Sequence, residues 1–289
     1  MDFLYLFLAM SFSAAITVGG RLYNTKCADL RGVSYLYSAL TSAFAASTWF
    51  VLWIFDFSFD IKVLPYAVVY GVCYVLFTFG MLGALKFGST SLTALVKQMA
   101  LVCVSVWGFV FWDTPLTLIG GIGIDLIVIS LSLCLLTKEK SGKDHSAAKW
   151  MIFAIMIIVG NSGCSIIQRY QQIAFNYDHK YMLMFFALLF STACCVLMSL
   201  REDKTNWGIA VRTSWAFPAL AGCGSALSNV FILLMVKSNF SPVILYPGVA
   251  VGGLMLTVIV SLFFFREKLR PMQIAGLIVG AVALVLLNL

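Results

Sequence analysis

The sequence has very little charge for its length. Only 11% of the 289 residues are Asp, Glu, Lys or Arg, whereas 62% are hydrophobic, and the mean hydropathy is +0.99. Soluble domains carry about 25% charged residues, so a water-soluble surface is excluded and lipid must be the main solvent. The composition therefore predicts an all-α integral membrane protein.

Long hydrophilic segments are also absent, which excludes a soluble domain between the spans. The longest connection, 137–149, has 13 residues, and the sequence lacks the GxxxxGK[ST] loop that binds ATP. The only histidines, His145 and His179, are predicted in loops, and no paired carboxylates lie in apolar segments, which argues against an intramembrane enzyme. We expect no ATP-driven pump, no catalytic residues, no metal site and no cofactor.

Ten apolar runs are long enough to cross a bilayer, which requires about 20 helical residues. Several begin near a proline, whose missing amide donor is tolerated in the first helical turn. The predicted spans are 3–20, 34–55, 64–85, 89–111, 115–136, 150–172, 181–200, 211–236, 241–264 and 271–288.

The loops between these spans differ in basic residues. Odd-numbered loops hold 14 Lys and Arg residues, whereas even-numbered loops hold four. The positive-inside rule then places the odd loops in the cytoplasm and both termini outside it. The net charge of +7 thus indicates membrane topology rather than nucleic-acid binding, and predicts a multi-pass protein of the cytoplasmic membrane.

A weak internal repeat divides the chain. The segment 111–117 resembles 264–270, and Gly123 and Gly276 follow at the same offset of 153 residues. Ten spans and this offset give two halves of five, 1–137 and 150–289, joined by a linker at 138–149. An odd number of spans per half inverts one half relative to the other, as in transporters with alternating access. A channel would not need such a repeat.

Two stretches resemble the drug/metabolite transporter superfamily, specifically its EamA-like ten-helix transporters. The first is 83–95, GALKFGSTSLTAL, and the second runs from Ser241-Pro242 through FREKL at 265–269 to Gly276 and Gly280. The chain departs from the family at Trp112-Asp113-Thr114, where members usually have Gly-Glu. The resemblance implies a central cavity lined by spans 1, 3, 4, 6, 8 and 9, with spans 5 and 10 peripheral. Many members have cytoplasmic termini, which opposes the orientation given by the basic residues.

Two charged residues lie near the middle of predicted spans, where an ionised side chain needs a partner or water. Lys97 is in the fourth span and Asp125 in the fifth. Counting from their shared turn at 1.5 Å per residue, their depths differ by about 6 Å. They either neutralise each other, or Lys97 faces the cavity and attracts a substrate anion, or Lys97 extends toward the lipid headgroups.

Other polar and aromatic residues complete the predicted substrate site. Pro247 is expected to kink the ninth span beside Tyr246. The predicted substrate-binding residues are Lys97, Gln98, Asn161, Asn229, Tyr246, Tyr74 and Trp107.

The preferred function is secondary transport of a small anionic or zwitterionic metabolite, such as an amino acid. The alternative is transport of choline or another quaternary amine held by Tyr70, Tyr74, Trp107 and Tyr246 through cation–π contacts. Neutralisation of Lys97 by Asp125 would favour the alternative. Gly276 and Gly280 also form a GxxxG motif that could mediate a homodimer.

Overall fold

The computed structural model describes residues 2–28, 30, 33–112, 118–136, 145–176, 178–201, 205–237, 242–267 and 269–287. Within these ranges the chain is helical and contains no strand. The α-helices are α1 (Asp2–Lys26), α2 (Ser34–Phe55), α3 (Leu64–Phe87), α4 (Thr90–Phe111), α5 (Leu118–Leu136), α6 (His145–Ala174), α7 (Lys180–Ser199), α8 (Trp207–Ser214), α9 (Ala216–Lys237), α10 (Pro242–Phe263) and α11 (Pro271–Leu287). A single 3₁₀ turn, Ile61–Val63, precedes α3.

Six of the described helical segments are long and apolar enough to cross a bilayer. They are Phe3–Lys26, Ser34–Phe55, Ile61–Phe87, Ala148–Ala174, Lys180–Ser199 and Ala216–Met235. Shorter apolar stretches occupy Gly248–Phe263 and Pro271–Leu286. The helical class and the multi-pass membrane character are therefore confirmed.

The structure corrects several predicted helix ends. The start of the eighth span, predicted at residue 211, is wrong, because α8 ends at Ser214 and α9 begins at Ala216. Pro218 lies in the first turn of α9, where its missing amide donor costs no hydrogen bond, and it cannot extend the ladder of α8. His145 opens α6 instead of lying in a loop, and α1 continues to Lys26.

Hydrogen bonds identify which helix ends lie together. The Arg21 guanidinium, near the end of α1, donates to the carbonyl of Leu85 at 2.6 Å and pairs with Glu267 after α10. At the opposite end, the Trp107 indole of α4 donates to the Tyr170 hydroxyl of α6 at 3.2 Å. We call the end carrying the α1–α2, α3–α4 and α10–α11 connections the odd face, and the opposite end the even face.

Glycines allow the backbones of two helix pairs to approach closely. In the α3–α6 pair, a Cβ on Gly160 would lie 2.5 Å from the backbone nitrogen of Phe77, and one on Gly80 would lie 3.0 Å from that of Ile157. In the α1–α9 pair, a Cβ on Gly19 would lie 2.8 Å from the Phe217 carbonyl oxygen. Small residues at such crossings are typical of packing in membranes, where lipid gives no hydrophobic drive for association.

Two further pairs repeat this arrangement. Gly71 of α3 faces the carbonyl of Ala187 in α7, at 2.7 Å from an added Cβ. Gly222 of α9 faces the carbonyl of Thr41 in α2, at 2.3 Å. The α2 and α7 helices also pack on each other, as do α5 and α11. Gly71 therefore allows α3 to approach α7 closely, and Gly222 allows α9 to approach α2 closely.

Candidate functional site

Lys97 lies inside the helix bundle, with only 7% of its surface exposed. Its ammonium donates to the backbone carbonyl oxygen of Ser13 at 3.0 Å and to the Ser13 hydroxyl at 3.1 Å. Both acceptors are neutral, and no ion pair involves Lys97 within the described ranges. The α1 helix therefore holds a buried cation by dipoles alone, an arrangement that leaves its charge without a counter-ion.

Two more helices approach this contact between α1 and α4. Asn161 of α6 donates its side-chain amide to the backbone carbonyl of Lys97 at 3.0 Å. Gly253 of α10 lies against Ser13, because a Cβ at that position would be 3.1 Å from the serine hydroxyl oxygen. Four helices therefore meet around Lys97, and the predicted residues Lys97 and Asn161 are brought together.

The proposed charge pair between Lys97 and Asp125 is not formed. The Asp125 side chain is exposed on the outside of α5, whereas Lys97 is buried among α1, α4 and α6. Counting residues along two antiparallel helices estimates the depth of each side chain in the bilayer but not the direction in which it points. Here the Asp125 side chain is on the outside of α5, and the Lys97 side chain is inside the bundle. The structure thus favours the interpretation in which Lys97 faces the bundle interior.

Tyr74 lies away from the lysine, in the apolar cluster between α3, α6 and α7. Its ring stacks on Tyr70 with centroids 6.4 Å apart, and its other neighbours include Phe77. Tyr74 also lines a small cavity with Tyr37 and Thr41 of α2. Both tyrosine rings are buried, and the ring of Tyr74 packs against Tyr70 and Phe77.

Trp107 belongs to an aromatic cluster at the even face. Its ring stacks on Phe111 at 4.3 Å, and its indole nitrogen bonds to the Tyr170 hydroxyl. Trp112 contacts Tyr170 edge-on at 5.5 Å. Ten residues of helix separate Trp107 from Lys97, roughly 15 Å along the axis, so the two do not share one small site.

The remaining predicted residues are Gln98, Asn229, Tyr246 and Pro247. Gln98 is half-buried beside Lys97, and the Asn229 amide donates to the Ser225 carbonyl of its own helix at 2.9 Å. The side chains of Tyr246 and Pro247 lie outside the described residues, although α10 itself runs through both positions. The Gly276–Gly280 face contacts α5 of the same chain, because Ser130 donates to the Gly276 carbonyl at 2.6 Å.

Sequence reasoning missed a second polar cluster, at the odd face. The Glu267 carboxylate accepts from the backbone nitrogen of Thr90 at 2.9 Å, from the Thr90 hydroxyl at 2.7 Å and from the Ser261 hydroxyl. Arg21 approaches the same carboxylate at 3.6 Å. We call these residues, Arg21, Thr90, Ser261 and Glu267, the odd-face latch.

One feature of the sequence indicates where the latch forms, namely the start of α4. Thr90 opens α4, and the first amides of a helix attract a carboxylate because they have no intrahelical acceptor. Glu267 lies 177 residues further along the chain, and a distant acid that caps a helix cannot be assigned from local spacing. Pairing it with Thr90 requires the fold.

No family model matches this chain, and no curated protein matches it significantly.

Proposed function

We propose that this protein is a secondary transporter of a small anionic or zwitterionic metabolite, amino-acid-like in size and charge. In this proposal ten membrane-spanning helices form two inverted halves that alternate access to a central site, in the manner of the drug/metabolite transporters that the sequence resembles. The protein would reside in the cytoplasmic membrane, with the odd face inside as the basic residues indicate.

The packing supports the division into two halves. If α1 to α5 correspond in order to α6, α7, α9, α10 and α11, every major contact has an equivalent. The α1–α9 pair corresponds to α6–α3, the α2–α9 pair to α7–α3, and the α1–α10 pair to α6–α4. Gly222 and Gly71 are at equivalent interfaces in this scheme. Two halves related in this way can exchange conformations, which is the structural basis of alternating access.

The observation that carries the substrate class is the buried, unpaired charge of Lys97. A cation held only by the Ser13 carbonyl and hydroxyl lacks the counter-ion that a low-dielectric interior requires. A substrate carboxylate would supply it and would gain a charge-assisted hydrogen bond. The Asn161 bond to the Lys97 backbone fixes the position of this cation between the two halves.

The rival substrate, a quaternary amine, finds less support. A cation–π site needs open aromatic faces, and Tyr70 and Tyr74 are packed inside an apolar cluster. An uncompensated lysine would also repel a permanent cation. These two observations favour the anionic or zwitterionic substrate over choline.

The experiment is uptake into proteoliposomes, with a radiolabelled amino-acid mixture and radiolabelled choline measured side by side. We expect amino-acid uptake by the wild-type protein, at least a tenfold loss in Lys97→Ala, and no loss in the exposed control Lys62→Ala. A tenfold loss corresponds to about 1.4 kcal/mol of binding or transition free energy. Selective choline uptake that survives Lys97→Ala would contradict the proposed substrate class.

A further inference from the structure

We propose that the odd-face latch is the gate that closes the substrate site toward the odd face, and that opening it exposes a polar path along α1. This inference rests on the proposed transport function. The latch joins three separate parts of the chain: the end of α1, the start of α4 and the turn after α10. In the two-half division, α1 and α4 belong to one half and α10 to the other.

The path runs along one face of α1. Ser13, Thr17 and Arg21 are spaced four residues apart, so their side chains are aligned on the same side of the helix. Ser13 binds the Lys97 ammonium and Arg21 binds Glu267. The substrate site and the latch are thus the two ends of one polar row, with Thr17 between them.

Thr17 is the part of this row that the closed structure leaves unsatisfied. It is fully buried, and its hydroxyl has no hydrogen-bond partner among the residues that the structure describes. A threonine in a helix can usually bond to the carbonyl four residues earlier, but here that carbonyl belongs to Ser13 and accepts from Lys97. An unpaired buried hydroxyl is costly, and hydration in an opened path would remove that cost.

The odd face has a cavity beside Arg21, the latch residue on α1. An open cavity of about 350 Å³ at the odd face is lined by Arg21, Asn24 and Lys86, among others, and ends against Leu82 and Leu85. Within the latch, Thr90 and Ser261 have no exposed surface, and neither has the adjacent Ser91. Arg21 thus both lines this open cavity and contacts Glu267, whose carboxylate binds the buried Thr90 and Ser261.

A direct link between α4 and α10 just behind Glu267 provides a means to lock the gate. The Ser91 and Ser261 hydroxyl oxygens are 2.9 Å apart, which is close enough for two cysteines at these positions to form a disulfide with little movement. The matched control is the Ser42–Ser191 pair of α2 and α7, with hydroxyl oxygens 3.0 Å apart and equally buried. This control lies outside the latch.

The first test opens the gate and needs no substrate. Thr17→Cys and, separately, Gln168→Cys on the even-face part of α6 are labelled in nanodiscs with a charged methanethiosulfonate reagent, and modification is followed by peptide mass spectrometry. Adding Glu267→Gln should accelerate labelling at position 17 about tenfold and slow it at position 168. An unchanged rate at position 17, or acceleration at both positions, would overturn the gate.

The second test closes the gate. Oxidation of Ser91→Cys/Ser261→Cys should stop uptake of the radiolabelled amino-acid mixture, and a reductant should restore it, whereas oxidised Ser42→Cys/Ser191→Cys and oxidised wild type should continue to transport. Continued uptake by the fully cross-linked Ser91/Ser261 variant would overturn the proposal. Faster labelling at position 17 and slower labelling at position 168 in Glu267→Gln, without amino-acid uptake by the wild-type protein, would support the gate and contradict the proposed substrate class. Failure of the gate and failure of the substrate class are therefore distinguishable.

Discussion

The Asn161 amide donates to the backbone carbonyl of Lys97, and this 3.0 Å bond joins α6 to α4 at the level of the buried cation. The carbonyl already accepts within its own helix, so the bond adds a contact without replacing one. The side chain of Lys97 meanwhile extends to α1. Lys97 thus bonds to one proposed half through its ammonium and to the other through its backbone carbonyl, which makes its surroundings sensitive to their relative movement.

Removal of this bond should weaken transport more than folding. In Asn161→Leu we expect a several-fold loss of amino-acid uptake and a loss of about 0.6–1.5 kcal/mol in stability, as for single polar contacts between helices in membranes. The measurement is uptake together with thermal unfolding in detergent. Ser162→Ala is the control, since the Ser162 hydroxyl bonds only within α6. Equal losses in both variants would assign Asn161 a purely structural role.

Neutralising Asp125 should leave Lys97 unaffected. The Asp125 side chain is exposed and makes no ion pair within the described part of the chain. We therefore expect Asp125→Asn to retain wild-type uptake and the same amino-acid preference. A loss as large as that of Lys97→Ala would show that the two residues act as a pair during transport.

The helical class and the membrane character follow from the sequence because they depend on composition and on the length of the apolar runs. The predicted span 34–55, for example, has the same limits as α2. The ends of α1 and α6 were missed because polar helical residues such as Asn24 and Lys26 resemble a loop in hydropathy. The break between α8 and α9 depends on Pro218, whose effect is concealed inside a continuous apolar run.

The site was predictable in part for a similar reason. A lysine within an apolar run is conspicuous in any sequence, so Lys97 was selected as a candidate, whereas its contact with Asn161 requires the fold. The direction in which each side chain leaves its helix is not available from the sequence, and Asp125 was therefore placed near Lys97 by depth alone. Glu267 was missed because its position after α10 looked like an ordinary charged turn.

Glycine substitutions test two close helix crossings, α3–α6 at Gly160 and α2–α9 at Gly222. A Cβ added at Gly160 meets the Phe77 backbone at 2.5 Å, and one at Gly222 meets the Thr41 carbonyl at 2.3 Å, so neither can be relieved by a side-chain rotation. We expect Gly160→Ala and Gly222→Ala each to lower stability by about 1–3 kcal/mol, the usual cost of overpacking. Gly208→Ala, which meets nothing within 4 Å, is the control.

Thermal unfolding in one detergent compares the three glycine variants directly. The control should be neutral or slightly stabilising, since alanine is a better helix former than glycine. Similar losses at Gly160 and Gly222 would agree with helix crossings of similar closeness. Full stability of Gly160→Ala would contradict the close α3–α6 crossing, and full stability of Gly222→Ala would contradict the close α2–α9 crossing.

Replacement of Thr17 by valine should stabilise the closed state and slow transport. Valine has the same shape and lacks the hydroxyl that has no partner, so Thr17→Val should raise stability by about 1 kcal/mol. The same change removes a group that water would bind in the opened path, and uptake should therefore fall although the protein is more stable. Thr48→Val, whose half-buried hydroxyl bonds to the carbonyl of Phe44, serves as the control. A lower unfolding temperature for Thr17→Val, or faster uptake, would contradict the dry path between Lys97 and the latch.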